Sequence, residues 1–192
     1  SGLGSIVLFL FYLISGPDEI YINGFRDFLL ILSCITFGFF IVNVFTGKVF
    51  LGDTGSYLLG ILIGWSGVII VSYNENISPW AIFIIIIYPA SEITVSVFRR
   101  IINKKSPFHA DKLHLHSLVH TMISEKFRVN NQVINSLCGV LILLFATIPG
   151  FYCIYINGLF PKTIYTVFIF FILYVSIYNI LIFILKKQSI SV

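Results

Sequence analysis

Six stretches of this chain are dominated by apolar residues and separated by short polar connections: Leu3 to Ser15, Phe28 to Phe45, Tyr57 to Tyr73, Trp80 to Phe98, Val133 to Ile156 and Thr163 to Leu185. A helix needs about 20 mostly apolar residues to cross a bilayer, and only the first stretch falls well short. With no water in lipid to satisfy the backbone, such runs leave the helix as the spanning element. The expected fold is therefore all-α: a polytopic transmembrane helix bundle of about six spans. Residues 1–192 read as a single membrane domain, and residues 99–131 as a cytoplasmic loop within it. Composition excludes the alternative. With 58% apolar and 10% charged residues in 192, a soluble domain of this size has too little interior to hide its apolar surface. Cys34, Cys138 and Cys153 share no ligand spacing, and free cysteine inside an apolar run acts as a small apolar residue.

Alternating the connections between two sides puts Lys48, Arg99, Arg100, Lys104, Lys105, Lys112, Lys126, Arg128, Lys186 and Lys187 on one side and only Arg26 and Lys162 on the other. That asymmetry makes the first side cytoplasmic, with both ends of the chain facing it. The opposite connections carry ordinary turn residues, Gly16-Pro17, Asn23-Gly24 and Asn157-Gly158. From Arg99 to Arg128 there are seven basic and two acidic residues, against a net charge of +4 for the whole chain. The loop suits either anionic headgroups or a bound anion.

Two segments on the cytoplasmic side carry chemistry. The first is Asn43-Val44-Phe45-Thr46-Gly47-Lys48-Val49-Phe50-Leu51-Gly52-Asp53-Thr54-Gly55-Ser56. Asp53 stands where a helix begins, with glycines on either side that let a ligand approach the backbone. The helix start favours phosphate, and Mg²⁺ is held by one or two carboxylates together with substrate phosphates. Asp53 as a plain N-cap, with Thr54 and Ser56 capping alongside it, is the competing reading.

The second segment holds all four histidines, His109, His114, His116 and His120, with Asp111 and Lys112 among them. Neutral histidine offers ligands or hydrogen bonds, and protonated histidine offers charge to phosphate. A solvated cluster and a structural metal site are the alternatives. From Leu115 the residues Leu118, Val119, Met122 and Ile123 follow helical spacing, which predicts an amphipathic helix lying along the cytoplasmic interface. Glu92 is a carboxylate inside the fourth apolar stretch. At that depth it is either functional or a partner for a basic residue of the loop.

Taken together these segments resemble a family. Lys48 to Ser56, preceded by Asn43, is similar to the Lys-apolar-Phe-apolar-Gly-Asp-x-Gly-Ser segment of bacterial polyprenyl-phosphate N-acetylhexosamine-1-phosphate transferases (glycosyltransferase family 4). Arg99-Arg100, then Ser106-Pro107-Phe108 and Asp111-Lys112-Leu113-His114-Leu115-His116, resembles that family's inner histidine loop. The resemblance implies transfer of a sugar 1-phosphate from a UDP-N-acetylhexosamine to polyprenyl (undecaprenyl) phosphate in a bacterial inner membrane. UMP is released and a lipid-linked cell-envelope glycan is begun.

The resemblance also implies Mg²⁺, with Mn²⁺ as a substitute. It makes Asp53 the metal ligand and, with His114 and His116, catalytic. Asn43, Lys48, Gly52, His109, Asp111 and Lys112 become substrate contacts. A homodimer is compatible with it, and nothing in the chain suits nucleic acid.

The chain departs from the family in places. Ser117 stands where a third His is common, His109 where the residue is often small, and Glu92 where many members have Asp. The family's acidic pair and its Asn/Asp/Gly-rich motif come earlier than the matching stretch, and Ser1-Gly2-Leu3-Gly4 reads as the tail of the latter. The chain thus reads as a C-terminal part that is inactive alone. A non-catalytic structural membrane partner or a decayed copy is the alternative. A transporter would show ionisable residues along several spans, and Glu92 stands alone well inside one. A metal-dependent membrane oxygenase would draw histidines from several segments.

Overall fold

The computed structural model describes residues 2–15, 23–46, 51–104, 106, 113–126 and 130–190. Within them lie eight helices and no strand: α1 (Gly2–Ile14), α2 (Asn23–Thr46), α3 (Gly52–Tyr73), α4 (Pro79–Ile85), α5 (Ile87–Ile102), α6 (Leu115–Lys126), α7 (Asn131–Tyr155) and α8 (Lys162–Ile190). Four of these, α2, α3, α7 and α8, contain stretches long and apolar enough to cross a membrane, and α4 with α5 makes a fifth if the pair is one span. At 1.5 Å per residue the 22 residues of α3 reach about 33 Å, just over the hydrocarbon thickness. The first apolar stretch forms α1, whose 13 residues reach only about 20 Å. The described residues thus give four or five spans against the six expected.

The fourth expected span is broken at Ile86. Its sequence contains Pro89, whose ring collides with the carbonyl four residues earlier, at Ile85, and whose nitrogen cannot donate to it. The helix that starts at Pro79 therefore stops at Ile85. Ile86 hands its amide to both Ile82 and Phe83, and a new helix begins at Ile87 with Pro89 in its first turn. Pro149 has no such effect on α7.

Asn23-Gly24, expected as a turn, is instead the opening of α2. Asn157-Gly158 is a turn, with φ of 52° and 63°. Ser78 caps α4 by accepting the amide of Trp80, with Pro79 at the first helical position. Gly16-Pro17 lies outside the described residues.

The chain divides into two compact units. The first comprises Ser1–Ile86 and Leu143–Val167. Here α1 packs along α2, α3 and α4, burying Leu8, Leu10 and Phe11. Small residues let the helices close up. A Cβ on Gly67 would lie 2.6 Å from Ile82, and one on Gly150 would lie 2.5 Å from Leu10. Such close approach is how helices gain packing energy where lipid is as apolar as the side chains. Cys153 is buried with its thiol toward the Ala81 carbonyl; it is free, as are Cys34 and Cys138, in keeping with cysteine as an apolar filler.

The second unit comprises Ile87–Ile142 and Phe168–Val192. The expected loop helix is present as α6, starting at Leu115. Its apolar face is satisfied by protein: Leu115, Leu118 and Ile123 are buried, and Ile123 and Val119 pack with Ile134 and Cys138 of α7. Elsewhere large apolar side chains face outward, among them Ile31, Ile61, Ile172 and Phe183. A soluble protein rarely exposes so much contiguous apolar surface, and lipid is the solvent that suits it. The chain is a helical membrane protein.

Candidate active site

In the first unit the site residues come from the start of α3. Gly52 has a φ of +71°, a left-handed conformation that side chains with a Cβ resist, and it opens the helix. Asp53 follows in the first turn and is exposed. It is not an N-cap. Leu51 occupies that position, and no side chain caps it. Ser56 does not cap either, since its hydroxyl donates back to the carbonyl of Gly52 at 2.8 Å. The first-turn amides of α3 are thus uncapped by any side chain, at the positive end of a 22-residue helix. A carboxylate there is exposed and unencumbered, which fits a cation shared with a phosphate ligand.

Asn43 sits one turn before the end of α2, half-buried. Six steps of chain separate Thr46 from Gly52, at most about 22 Å, so both helix ends belong to one face of the unit. Lys48 lies outside the described residues, as do His109, Asp111 and Lys112.

In the second unit the site is built around Glu92 of α5. Its Oε1 accepts the backbone amide of Leu115 at 2.8 Å and faces Nδ1 of His114 at 3.1 Å. Its Oε2 accepts the hydroxyl of Tyr174, on α8, at 2.9 Å. Tyr88, one turn earlier on α5, directs its hydroxyl to the same carboxylate. The Glu92 side chain is 14% exposed and that of His114 is 31% exposed. Leu115 is the first residue of α6, so Glu92 takes one of the amides that a helix start leaves unpaired.

A second grip lies two residues earlier. The carbonyl of Leu113 accepts Arg99 Nη1 at 2.7 Å and the Tyr178 hydroxyl at 3.0 Å. Arg99 and Tyr178 also bond to each other, and Arg99 Nη2 reaches Ser96 Oγ at 3.3 Å. Between the two grips the segment 113–115 is held from α5 and α8 together.

Two positions apart, His114 and His116 would not share the face of one helix. They meet because His114 stands just outside α6 and His116 just inside it. Their rings stack with centroids 5.7 Å apart and planes 7° apart. Ser117, where a third histidine is common in the family, lies 3.3 Å from His116 Nε2. Partial burial of the ring holds His116 below the usual histidine range; Glu92 pulls the other way, and His114 and His120 add to the lowering. His116 is therefore neutral at neutral pH. Among the described residues no three His, Cys, Asp or Glu side chains converge as a metal site.

The sequence reading missed Tyr174 and Tyr178. They were legible as a signal: two tyrosines one helical turn apart on one helix of a mostly apolar span. It took Arg99 as loop charge and as part of the histidine-loop motif, and not as a donor to the Leu113 carbonyl. Glu92, read as either functional or a partner for a basic residue of the loop, faces His114 of the loop and a backbone amide.

Comparison with known proteins bears on the first unit most directly. Residues 1–71 match the model of glycosyl transferase family 4. The matched stretch takes in Asn43, Gly52 and Asp53, and the family resemblance read from the sequence holds. The chain is 31% identical over 150 residues to a phospho-N-acetylmuramoyl-pentapeptide-transferase of Prochlorococcus marinus, covering 73% of this chain and 40% of the relative. It is 36% identical over 75 residues to an undecaprenyl-phosphate alpha-N-acetylglucosaminyl 1-phosphate transferase of Haemophilus influenzae, covering 38% and 21%. A probable undecaprenyl-phosphate N-acetylglucosaminyl 1-phosphate transferase of Bacillus subtilis is 33% identical over 102 residues, covering 50% and 28%. The chain spans 40% or less of the length of these relatives. No solved structure matches it.

Proposed function

We propose that this chain carries part of a transferase that moves an N-acetylhexosamine 1-phosphate from a UDP-sugar to polyprenyl phosphate at the cytoplasmic face of a bacterial membrane. The observation that carries the reading is Asp53. It is an exposed carboxylate in the first turn of a helix opened by a left-handed glycine, inside the stretch matched by glycosyl transferase family 4. In the reaction a phosphate oxygen of the lipid attacks the phosphorus that bears the sugar. The bond from that phosphorus to the UMP oxygen breaks, and UMP leaves with the electron pair.

Both reactants are anionic, so the protein's task is to bring together groups that repel. Asp53 would hold Mg²⁺, which supplies charge neutralisation and polarises the phosphoryl oxygens when bound. The first-turn amides of α3 offer donors to a phosphate without a side-chain competitor. By the resemblance His114 and His116 would engage the donor diphosphate, Asp111 and Lys112 would order the loop or touch phosphate, and Lys48 would be a further substrate contact. Asn43 would sit beside the nucleotide or the metal, and His109 would be a further substrate contact. The ten-to-two distribution of basic residues supports cytoplasmic placement of both segments.

The test uses the complete reading frame that contains this chain, expressed in membranes. UMP release is measured with UDP-N-acetylglucosamine, polyprenyl phosphate and Mg²⁺. Release that requires the lipid and stops with EDTA or with Asp53→Asn is the expected result. No release with any of a panel of UDP-N-acetyl sugars would overturn the reading in favour of a non-catalytic membrane partner.

A further inference from the structure

Glu92, a carboxylate in a mostly apolar helix, is met by donors from α8 and from the start of α6. The amide of Leu115 and the ring of His114 approach Oε1, and the Tyr174 hydroxyl approaches Oε2. An ionised carboxylate only accepts. Beside an ionised Glu92 that already accepts from Tyr174 and Leu115, His114 joins as a third donor only when Nδ1 carries the proton. In neutral imidazole that makes Nε2 the lone-pair nitrogen, the reverse of the form that predominates for free histidine in water. The same arrangement orients working histidines in other proteins, where a carboxylate on one ring nitrogen sets the tautomer and aims the other.

We propose that Glu92 is a positioning residue of the histidine loop: it holds the Nδ1 proton of His114, so that Nε2, the nitrogen turned away from Glu92, is the one that takes a second proton and then donates to the donor diphosphate, and it fixes the ring by tying down the first amide of α6. Tyr174 is the brace that keeps Glu92 turned toward the loop. Tyr174 is fully buried and on α8, so a mostly apolar membrane helix contributes to the orientation of a loop residue. The catalytic part of this inference rests on the proposed transferase reading. The tautomer does not.

The experiment is ¹⁵N magnetic resonance of the histidine rings in the chain, labelled at histidine alone and reconstituted in lipid. Four histidines make the spectrum tractable, and His114→Gln assigns the resonance of interest. At about pH 8, above the ordinary histidine range, wild-type His114 is expected to carry a proton on Nδ1. An unprotonated Nδ1 would overturn the proposal with no Glu92 variant needed. Glu92→Leu is expected to move the proton to Nε2, and retention on Nδ1 in a folded protein would equally overturn it. Should Glu92→Leu fail to fold, Tyr174→Phe provides the second variant. With the brace removed, the Nδ1-protonated fraction is expected to fall, and an unchanged fraction would remove Tyr174 from the role. In the complete enzyme Glu92→Leu should lower kcat about 10- to 100-fold, the usual cost of losing such a partner, with KM for the UDP-sugar changed far less. An Nδ1 proton with no UMP release from any donor refutes the transferase reading and leaves the positioning intact. Normal release with an Nε2 proton does the opposite.

Discussion

The grip on Leu113 makes a quantitative prediction about the loop. Its carbonyl accepts one charged donor, Arg99 Nη1 at 2.7 Å, and one neutral donor, the Tyr178 hydroxyl at 3.0 Å. A net hydrogen bond to a charged group is worth about 1.5–3 kcal/mol and a neutral one about 0.5–1.5. The Arg99 contact is partly in water, which puts it at the low end, about 1.5 kcal/mol. Tyr178 is buried, but its loss leaves the carbonyl still bonded to Arg99, so Tyr178→Phe should cost about 0.5–1 kcal/mol.

These energies hold the segment that leads into α6, whose first turn is reported by the amides of Leu115 and Leu118. When exchange proceeds by local opening, each 1.4 kcal/mol is a factor of ten in rate. Arg99→Met should speed hydrogen exchange at these two amides about 10-fold, and Tyr178→Phe about 2- to 5-fold. Arg99→Lys should fall nearer to Met than to wild type, because an ammonium cannot serve Leu113 and Ser96 from one planar fork. Arg99 and Tyr178 touch, so the double variant should cost a different amount from the sum of the singles. The amide of Ile164, bonded to Pro161, is the internal control and should not change. Equal exchange at Leu115 and Leu118 in wild type and Arg99→Met would show that the loop is held by something other than this carbonyl, and the reasoning would fail.

Asp53→Asn in the complete enzyme should abolish metal-dependent UMP release while the protein accumulates in membranes at its normal level, because the side chain is exposed and caps nothing. Gly52→Ala should cost about 1–2 kcal/mol from the left-handed backbone alone, since a Cβ there meets nothing within 4 Å; Gly52→Asn should recover part of it, measured as exchange protection in the first turn of α3. The lowering at His116 means that the folded chain binds fewer protons than the unfolded one below the ordinary histidine range. Protection of α6, corrected for intrinsic exchange, should therefore be full above about pH 6.5 and fall as pH drops toward the lowered value, and His116→Asn should flatten that dependence. Should the wild-type profile stay flat down to about pH 5, the ring is not held below its usual range.

What the sequence made legible, and what it did not, divides along a physical line. Apolar runs and the helical spacing from Leu115 depend on local composition, and α2, α3, α6, α7 and α8 appear close to where they were expected. The broken fourth span was equally local. Pro89 is written in the sequence, but an apolar run of the right length concealed it, because Pro is often tolerated in membrane helices. Pro149, inside an unbroken α7, is the counterexample that makes the effect hard to read beforehand. The partners of Glu92 were out of reach for a different reason. Tyr174 stands 82 residues away, and no local pattern couples two positions that far apart. The first segment of the site was readable because its chemistry is carried by adjacent residues. The second was readable only in its histidines.

The cost of a carboxylate at depth in an apolar helix explains why the loop is built as it is. Such a group must be compensated by donors, and here one donor is a backbone amide at a helix start, which itself lacks a partner. Each cancels the other's deficit: Glu92 is solvated by α6, and α6 is begun by Glu92. Neither element is therefore correctly formed alone. The consequence is that His114 inherits its orientation from the membrane helices α5 and α8, and a change at Tyr174 should reach the loop while a change at an outward-facing residue of the same helix, such as Ile172, should not. Tyr174→Phe removes one buried hydroxyl and leaves the carboxylate short of a donor, at about 1–3 kcal/mol. Ile172→Val removes one methylene from a lipid-facing side chain and leaves every donor in place. If both variants alter the exchange of the Leu115 amide equally, the orientation does not pass through Glu92, and the mutual dependence of carboxylate and helix start is refuted.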